Sequence, residues 1–274
     1  MSETSSRDVA THYGRPDLID TLAGALRAAG KQPESLRPED LTPIDQLHLR
    51  GREATLELAH LAGISSADSV LDVGGGLGGP ARTLAAELGC RVTVLDLTPE
   101  FVSTGRELTR WVGLGGRVTF EEGTALALPF AAGAFDVVWM QHSAMNIPDK
   151  PRLYAEAHRV LRPAGRLAIH DIMGGSGGPL DFPLPWASRS DLSFLVPAAE
   201  IRACVREAGF RERAWQDLTA ASLAWLEQRL ADGSPGLLGP QLLAGEMARP
   251  AFTNLRDALA DGRVRVVEGV FERA

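Results

Sequence analysis

The sequence predicts an α/β fold: a parallel β-sheet covered by helices on both faces. Three observations carry this. Short runs rich in β-branched residues alternate with helix-like segments over residues 69–173, and the links between them are short. One run, "VLDV", passes straight into five glycines among six positions, Gly74 to Gly79, and then into a helix-like segment. The next run, "RVTVLDL", carries an acid, Asp96, near its end.

The elements follow in order. Residues 1–11 are polar and expected to form a tail. From Pro16 to Ala29, Leu18, Ile19, Leu22 and Leu26 recur at helical spacing, and Gly30 can stop that helix. "PESLRPEDLTPIDQLH" holds three prolines and reads as a loop. "GREATLELAHLAGI" is a second helix. "DSVLDV", "RVTVLDL", "RVTFEEG", "AFDVVWMQ" and "GRLAIHDIM" read as strands. Between them lie the helices "GPARTLAAELG", "TPEFVSTGRELTRWVG" and "DKPRLYAEAHRVLRPAG". Thr98 can cap the second of these and Pro99 suits its first turn; Pro163 and Gly165 end the third. "GGSGGPLDFPLPWASRSD" is a long loop. A helix from Pro197, a strand at "RERAWQDLT", a helical stretch over 220–260 broken near 233–240, and a strand at "GRVRVVEGVFERA" complete the chain. Trp139, Trp111, Trp215 and Trp225 fall at element positions that suit a core.

A strand that ends in glycines and opens a helix binds anions or nucleotides, because the helix start offers unpaired N–H groups and a positive dipole end. The pattern Gly74-x-Gly76-x-x-Gly79 alone also fits a dinucleotide. Two acids narrow the reading. Asp72 lies on the strand itself, where a carboxylate suits a cationic head better than a pyrophosphate. Asp96 lies 22 residues beyond Gly74, where it can accept both ribose hydroxyls. A nucleoside with an ammonium group and no phosphate meets both requirements, and S-adenosylmethionine (SAM) is such a molecule.

The ordered run "VLDVGGGLGG", "VTVLDL", "FEEGTALALPF", "FDVVWMQHSAMNIPD" and "RVLRPAGRLAIHDIM" resembles the successive motifs of class I SAM-dependent methyltransferases over residues 70–173. "HYGRPDL", "DQLHLRGREAT" and "FPLPWA" further resemble the small-molecule type that methylates sarcosine and dimethylglycine. The resemblance implies a Rossmann-like, seven-stranded, mostly parallel sheet in the order 3-2-1-4-5-7-6. It implies an N-terminal helical lid (1–63) and a methyltransferase domain (64–274) with a helical insertion at about 220–260. Asp72, Gly74, Gly75 and Gly76 would hold the methionine moiety, Asp96 the ribose and Leu97 the adenine. Thr124 and Ala125 stand where the family commonly has Asp-Ala or Asn-Ala beside the adenine amino group; Thr124 is a departure. Gln141 and His142 would face the sulfonium. Asn146-Ile147-Pro148-Asp149 replaces the His–Ser–Pro–Asp run of many N-methylating relatives.

Methyl transfer from a sulfonium needs alignment, exclusion of water and, for a hydroxyl or thiol, removal of a proton. His142 is the first candidate base, and ordering its own loop is the competing role. His48 either faces the pocket or lies at the surface. Of His170 and Asp171, one is expected to be structural. Tyr13 would close over the cofactor unless it belongs to the tail. Trp186 and Asn146 would touch the substrate, Trp186 as an aromatic wall for an apolar or cationic group. The stretch Met140-Gln141-His142 offers no carboxylate cage, so no metal is expected.

The expected reaction is methylation of a small molecule, leaving S-adenosylhomocysteine. A small amine of the glycine, sarcosine or dimethylglycine kind is favoured, and an oxygen, sulfur or carboxylate acceptor comes second. The rivals are an NAD-dependent oxidoreductase, against which Asp72 counts, and a non-catalytic SAM-binding protein. A net charge of −7 argues against a nucleic-acid partner, and no apolar run approaches the ~20 residues that span a bilayer. No signal-peptide pattern is seen at residues 1–17, and Cys90 and Cys204 form no disulfide framework, so a cytoplasmic protein is expected. Exposed lid helices could support a homodimer.

Overall fold

A computed structural model describes residues 14–232, 239 and 241–274. Three helices come first: α1 (Leu18–Ala28), α2 (Pro38–Asp45) and α3 (Gly51–Leu61). Then follow β1 (Ser69–Val73), α4 (Gly79–Leu88), β2 (Arg91–Asp96), α5 (Pro99–Trp111), β3 (Val118–Glu122) and β4 (Phe135–Gln141). The remainder is α6 (Lys150–Val160), β5 (Leu161–Gly174), α7 (Ala198–Glu207), β6 (Phe210–Asp217), α8 (Thr219–Ala231), α9 (Gln241–Ala244), α10 (Ala248–Ala260) and β7 (Val264–Arg273).

The strands form one seven-stranded sheet in the order β3-β2-β1-β4-β5-β7-β6. β1 to β5 pair in parallel, whereas β7 runs antiparallel to both β5 and β6. The fold is therefore the expected Rossmann-like one. Alternate residues sort the two faces. Val70, Val92, Val94 and Trp139 pack under α3, α4 and α5, and Leu71, Val138, Met140 and Ile169 pack under α6 and α7. β4 is covered on both faces, so all seven of its residues are buried, the polar Asp136 and Gln141 included.

Two further clusters lie outside these layers. α1 and α2 bury Leu18, Leu22, Leu26, Leu41 and Ile44 against Phe101 and Leu108 of α5 and against Leu77 of the glycine turn. α8 and α10 bury Leu226, Leu255 and Leu259 with Leu49, Trp186 and the first residues of β7.

Several expectations are corrected. The proline-rich stretch contains α2. Pro38 sits in its first turn, where the missing N–H removes no helix bond, and the Arg37 N–H donates to Asp40 Oδ2 at 2.9 Å. β5 begins at Leu161, so α6 ends at Val160, ahead of Pro163. Thr98 stands at the start of α5, but its side chain caps nothing; its backbone N–H donates to Asp96 instead. Trp139 is fully buried, whereas Trp111, Trp215 and Trp225 are only half-buried against their clusters. Most of the expected break at 233–240 lies outside the described residues.

Candidate active site

The turn after β1 is built from backbone that side chains cannot share. Gly74 (φ 72°), Gly76 (φ 56°) and Gly78 (φ 78°) are left-handed. A Cβ on Gly74 would lie 2.6 Å from Ser143 Cβ, and one on Gly75 would lie 2.5 Å from Asp72 Oδ2. The end of β4 thus presses directly on the glycine turn. From the other side, a Cβ on Gly79 would strike the Asp45 carbonyl, and one on Gly76 would sit 3.5 Å from Leu47. The segment after α2 therefore lies across the turn and holds it closely. Arg82 of α4 fastens it, donating to Asp45 Oδ2 at 2.9 Å and Thr109 Oγ1 at 2.8 Å.

Asp72 is buried, and its Oδ2 finds no partner among the described residues. Burial, and then the nearby Asp96, push its carboxyl up to about 8. Asp96 Oδ2 accepts from the Gly76 N–H and Oδ1 from the Thr98 N–H, both at 2.9 Å. A carboxylate has about four lone-pair sites, so two bonds leave room for two hydroxyls. The donor set fits SAM: an unpartnered buried acid for a cation, a glycine cradle that excludes side chains, and an acid at the end of β2. Leu97, Thr124 and Ala125 are half-buried beyond β2 and β3. The Thr124 hydroxyl accepts from the Leu126 N–H at 3.3 Å.

The structure brings three histidines together. The ring centroids of His48, His142 and His170 are 5.3–6.0 Å apart. His142 follows β4 in a left-handed conformation (φ 48°), and its N–H donates to the His170 carbonyl at 2.9 Å. His48 Nδ1 lies 3.2 Å from the Leu49 carbonyl, and its Nε2 lies 3.1 Å from Gln46 Oε1 and 3.2 Å from Thr55 Oγ1. Burial lowers all three imidazoles, His48 to about 4; repulsion from His170 and His48 adds to the effect in His142, and repulsion from His48 and Arg50 adds to it in His170. All three are neutral near pH 7. Gln141 Oε1 accepts from Trp139 Nε1 at 2.9 Å and Thr55 Oγ1 at 3.1 Å. Its Nε2, His142 Nε2 and both ring nitrogens of His170 have no partner among the described residues.

The other expected site residues are more distributed. Asn146 Nδ2 donates to the Trp186 and Leu192 carbonyls at 2.8 and 3.2 Å, so it ties the loop after β4 to the 184–195 segment. Trp186 is buried among Leu49, Met145 and Leu184, and its indole N–H donates to Ser193 Oγ at 3.0 Å. Tyr13 lies outside the described residues. Thr55, Glu268 and Lys150 went unnoticed in the sequence. Lys150 is buried and donates to the carbonyls of Ala144 (2.6 Å), Ile147 and Phe194 (2.8 Å), pinning the loop that carries Ser143 and Asn146. Among the described residues, no group of three or more histidine, cysteine or acidic side chains is arranged to hold a metal. No described helix is long and apolar enough to cross a membrane.

Fold and site define a SAM-dependent methyltransferase of the class I type, and comparison with known proteins agrees. Residues 71–169 match the methyltransferase domain family. The sarcosine/dimethylglycine N-methyltransferase of Halorhodospira halochloris is 32% identical over 77% of this chain and 75% of its own. The 27-O-demethylrifamycin SV methyltransferase of Amycolatopsis mediterranei is 30% identical over 80% and 79%. Methyltransferase GfsG of Streptomyces halstedii is 38% identical over 63% of this chain but only 60% of its own length. A geranyl diphosphate C-methyltransferase from Streptomyces coelicolor, solved with Mg2+, geranyl diphosphate and S-adenosylhomocysteine, shares the fold. Its TM-score is 0.67 at 19% identity, covering 81% of this chain and 79% of that one. The chain belongs to the class I SAM-dependent methyltransferases.

Proposed function

We propose that the protein methylates a hydroxyl group of a small metabolite, with SAM as donor and S-adenosylhomocysteine as product. One observation carries this reading: three imidazoles, kept neutral by burial, converge at the end of β4, where Ser143, next to His142, packs on the glycine turn. SAM supplies a methyl group already activated on a sulfonium. Asp72, the glycine turn and Asp96 hold the donor. Leu47 and the segment after α2 shield it from water. His142 Nε2, without a partner among the described residues, accepts the hydroxyl proton as the oxygen attacks, in the tautomer that carries its N–H on Nδ1. Positioning supplies much of the acceleration. The rifamycin relative, whose name specifies an O-methylation, supports the oxygen acceptor.

A small amine of the sarcosine kind is the second reading, favoured by the sequence motifs and by the Halorhodospira relative. A glycine derivative also needs a cation for its carboxylate. Arg50, close to the cluster, is already held by Glu53 (2.9 Å) and Glu57 (2.7 and 2.8 Å).

The test is a panel of methyl-labelled reactions on neutral alcohols, phenols, glycine, sarcosine and dimethylglycine, read by product mass. Methylated alcohol or phenol is the expected product; turnover confined to the amines replaces the first reading with the second. In His142→Ala, kcat should fall about 10²- to 10⁴-fold while SAM affinity stays within a few-fold. An unchanged kcat would remove His142 from the chemistry.

A further inference from the structure

The sheet register sets Gln141 of β4, His170 of β5 and Glu268 of β7 side by side. Paired residues in a sheet point to the same face, here the face under α3. The row is buried throughout. Gln141 Nε2, both ring nitrogens of His170 and Glu268 Oε1 all lack partners among the described residues. A buried polar atom left unsatisfied is destabilising, so a row of them in one place is not what packing alone would select. His142 joins the row through its ring, 5.3 Å from that of His170, and through its N–H to the His170 carbonyl.

We propose that His170 and Glu268 form a buried proton path that takes the acceptor's proton from His142 and delivers it toward the solvent beside Glu57. This rests on the hydroxyl reading above. The acceptor O–H bond breaks, its oxygen takes the methyl group, and the S–CH3 bond cleaves to leave S-adenosylhomocysteine. These side chains do not hydrogen-bond one another, so the proton passes from His142 to His170, then to the Glu268 carboxylate, through water bridging their unpartnered atoms, and is released to solvent. Neither His170 nor Glu268 touches the acceptor; both act through His142.

Charge along the path has the right order. Burial and repulsion from neighbouring groups make His142 and His170 poor holders of a proton, so they pass it on. Glu268 is raised to about 7 by burial and then by Glu57, against the opposing charge of Arg50. It is the best proton holder of the three near neutrality. The charged and titratable groups around it are His170 on β5, Arg50 and Glu57 at α3, and His48 beside His170. Its partner on β6 is the neutral Gln216. Glu57 is 45% exposed at its side chain and provides the outlet.

The test uses the full chain and Glu268→Gln, which keeps shape and hydrogen bonding but cannot carry the proton. Nuclear magnetic resonance of the labelled imidazoles should show His142 and His170 both sensing an inflection near pH 7, absent in Glu268→Gln. Rings that report no such inflection overturn the path. With an acceptor from the panel, Glu268→Gln should lower kcat about 10-fold or more and flatten the pH profile near 7. KM and SAM affinity should hold. Hydroxyl turnover with an unmoved kcat and pH profile overturns the path alone. Failure of every hydroxyl acceptor sinks the hydroxyl reading and, with it, the proton this path would carry. A melting temperature for Glu268→Gln close to that of the parent at pH 6 separates these outcomes from misfolding.

Discussion

Asp72 illustrates how a buried acid that costs stability is, in the proposed reading, the one that holds the cofactor. Its carboxyl is raised from 3.8 to about 8, so the folded chain holds a proton there that the unfolded chain releases above pH 4. Where the folded state binds more protons, stability falls as pH rises. This group therefore destabilises the cofactor-free protein progressively from about pH 4 to about pH 8. Asp72→Asn should flatten that part of the melting-temperature profile while weakening SAM binding about 10- to 100-fold, the worth of a charge-assisted bond. Calorimetry that finds unaltered SAM affinity in the variant would detach Asp72 from the cofactor. Asp72 and Asp96 were legible in sequence because strand, turn and helix are contiguous, so spacing alone fixes their geometry. Glu268 and Thr55 were not, since nothing near them in the chain marks them out.

At the scale of elements, the contact of α2 with α4 decides how tightly the glycine turn is covered. Asp45 and Arg82 form an ion pair with both side chains almost wholly buried, and Arg82 also bonds Thr109 on α5. Removing one partner of such a pair strands the other charge, at a cost of about 3–5 kcal/mol. Asp45→Ala should lose that much in urea unfolding. Asp45→Leu combined with Arg82→Met should recover most of it, because no charge is then left buried. A single variant within 1 kcal/mol of the parent would show that the pair contributes nothing net. The sequence concealed α2 because three prolines mimic a loop. Its helix forms because Pro38 falls in the first turn and Leu41 and Ile44 gain burial against α5.

For the whole molecule, the site lies where three layers meet: the sheet's carboxyl end, the α1–α3 segment and the α8–α10 cluster. A ligand that binds only the folded state stabilises all of it at once. SAM at 100 times its Kd should add about 2.7 kcal/mol. For a chain of this size that raises the melting temperature by about 5–10 °C. A thermal scan showing no shift would contradict the cofactor assignment. By itself the sequence determined the strand–helix alternation, the glycine turn and its two acids, since these rest on periodicity and spacing within one stretch of chain. The strand order and the wider site came through likeness to a family. Only the tertiary structure brought His48, Thr55, Gln141, His142, His170 and Glu268 together. They come from the segment before α3, α3 itself, β4, its following turn, β5 and β7, and the pairing register and burial that join them are long-range properties no local pattern encodes.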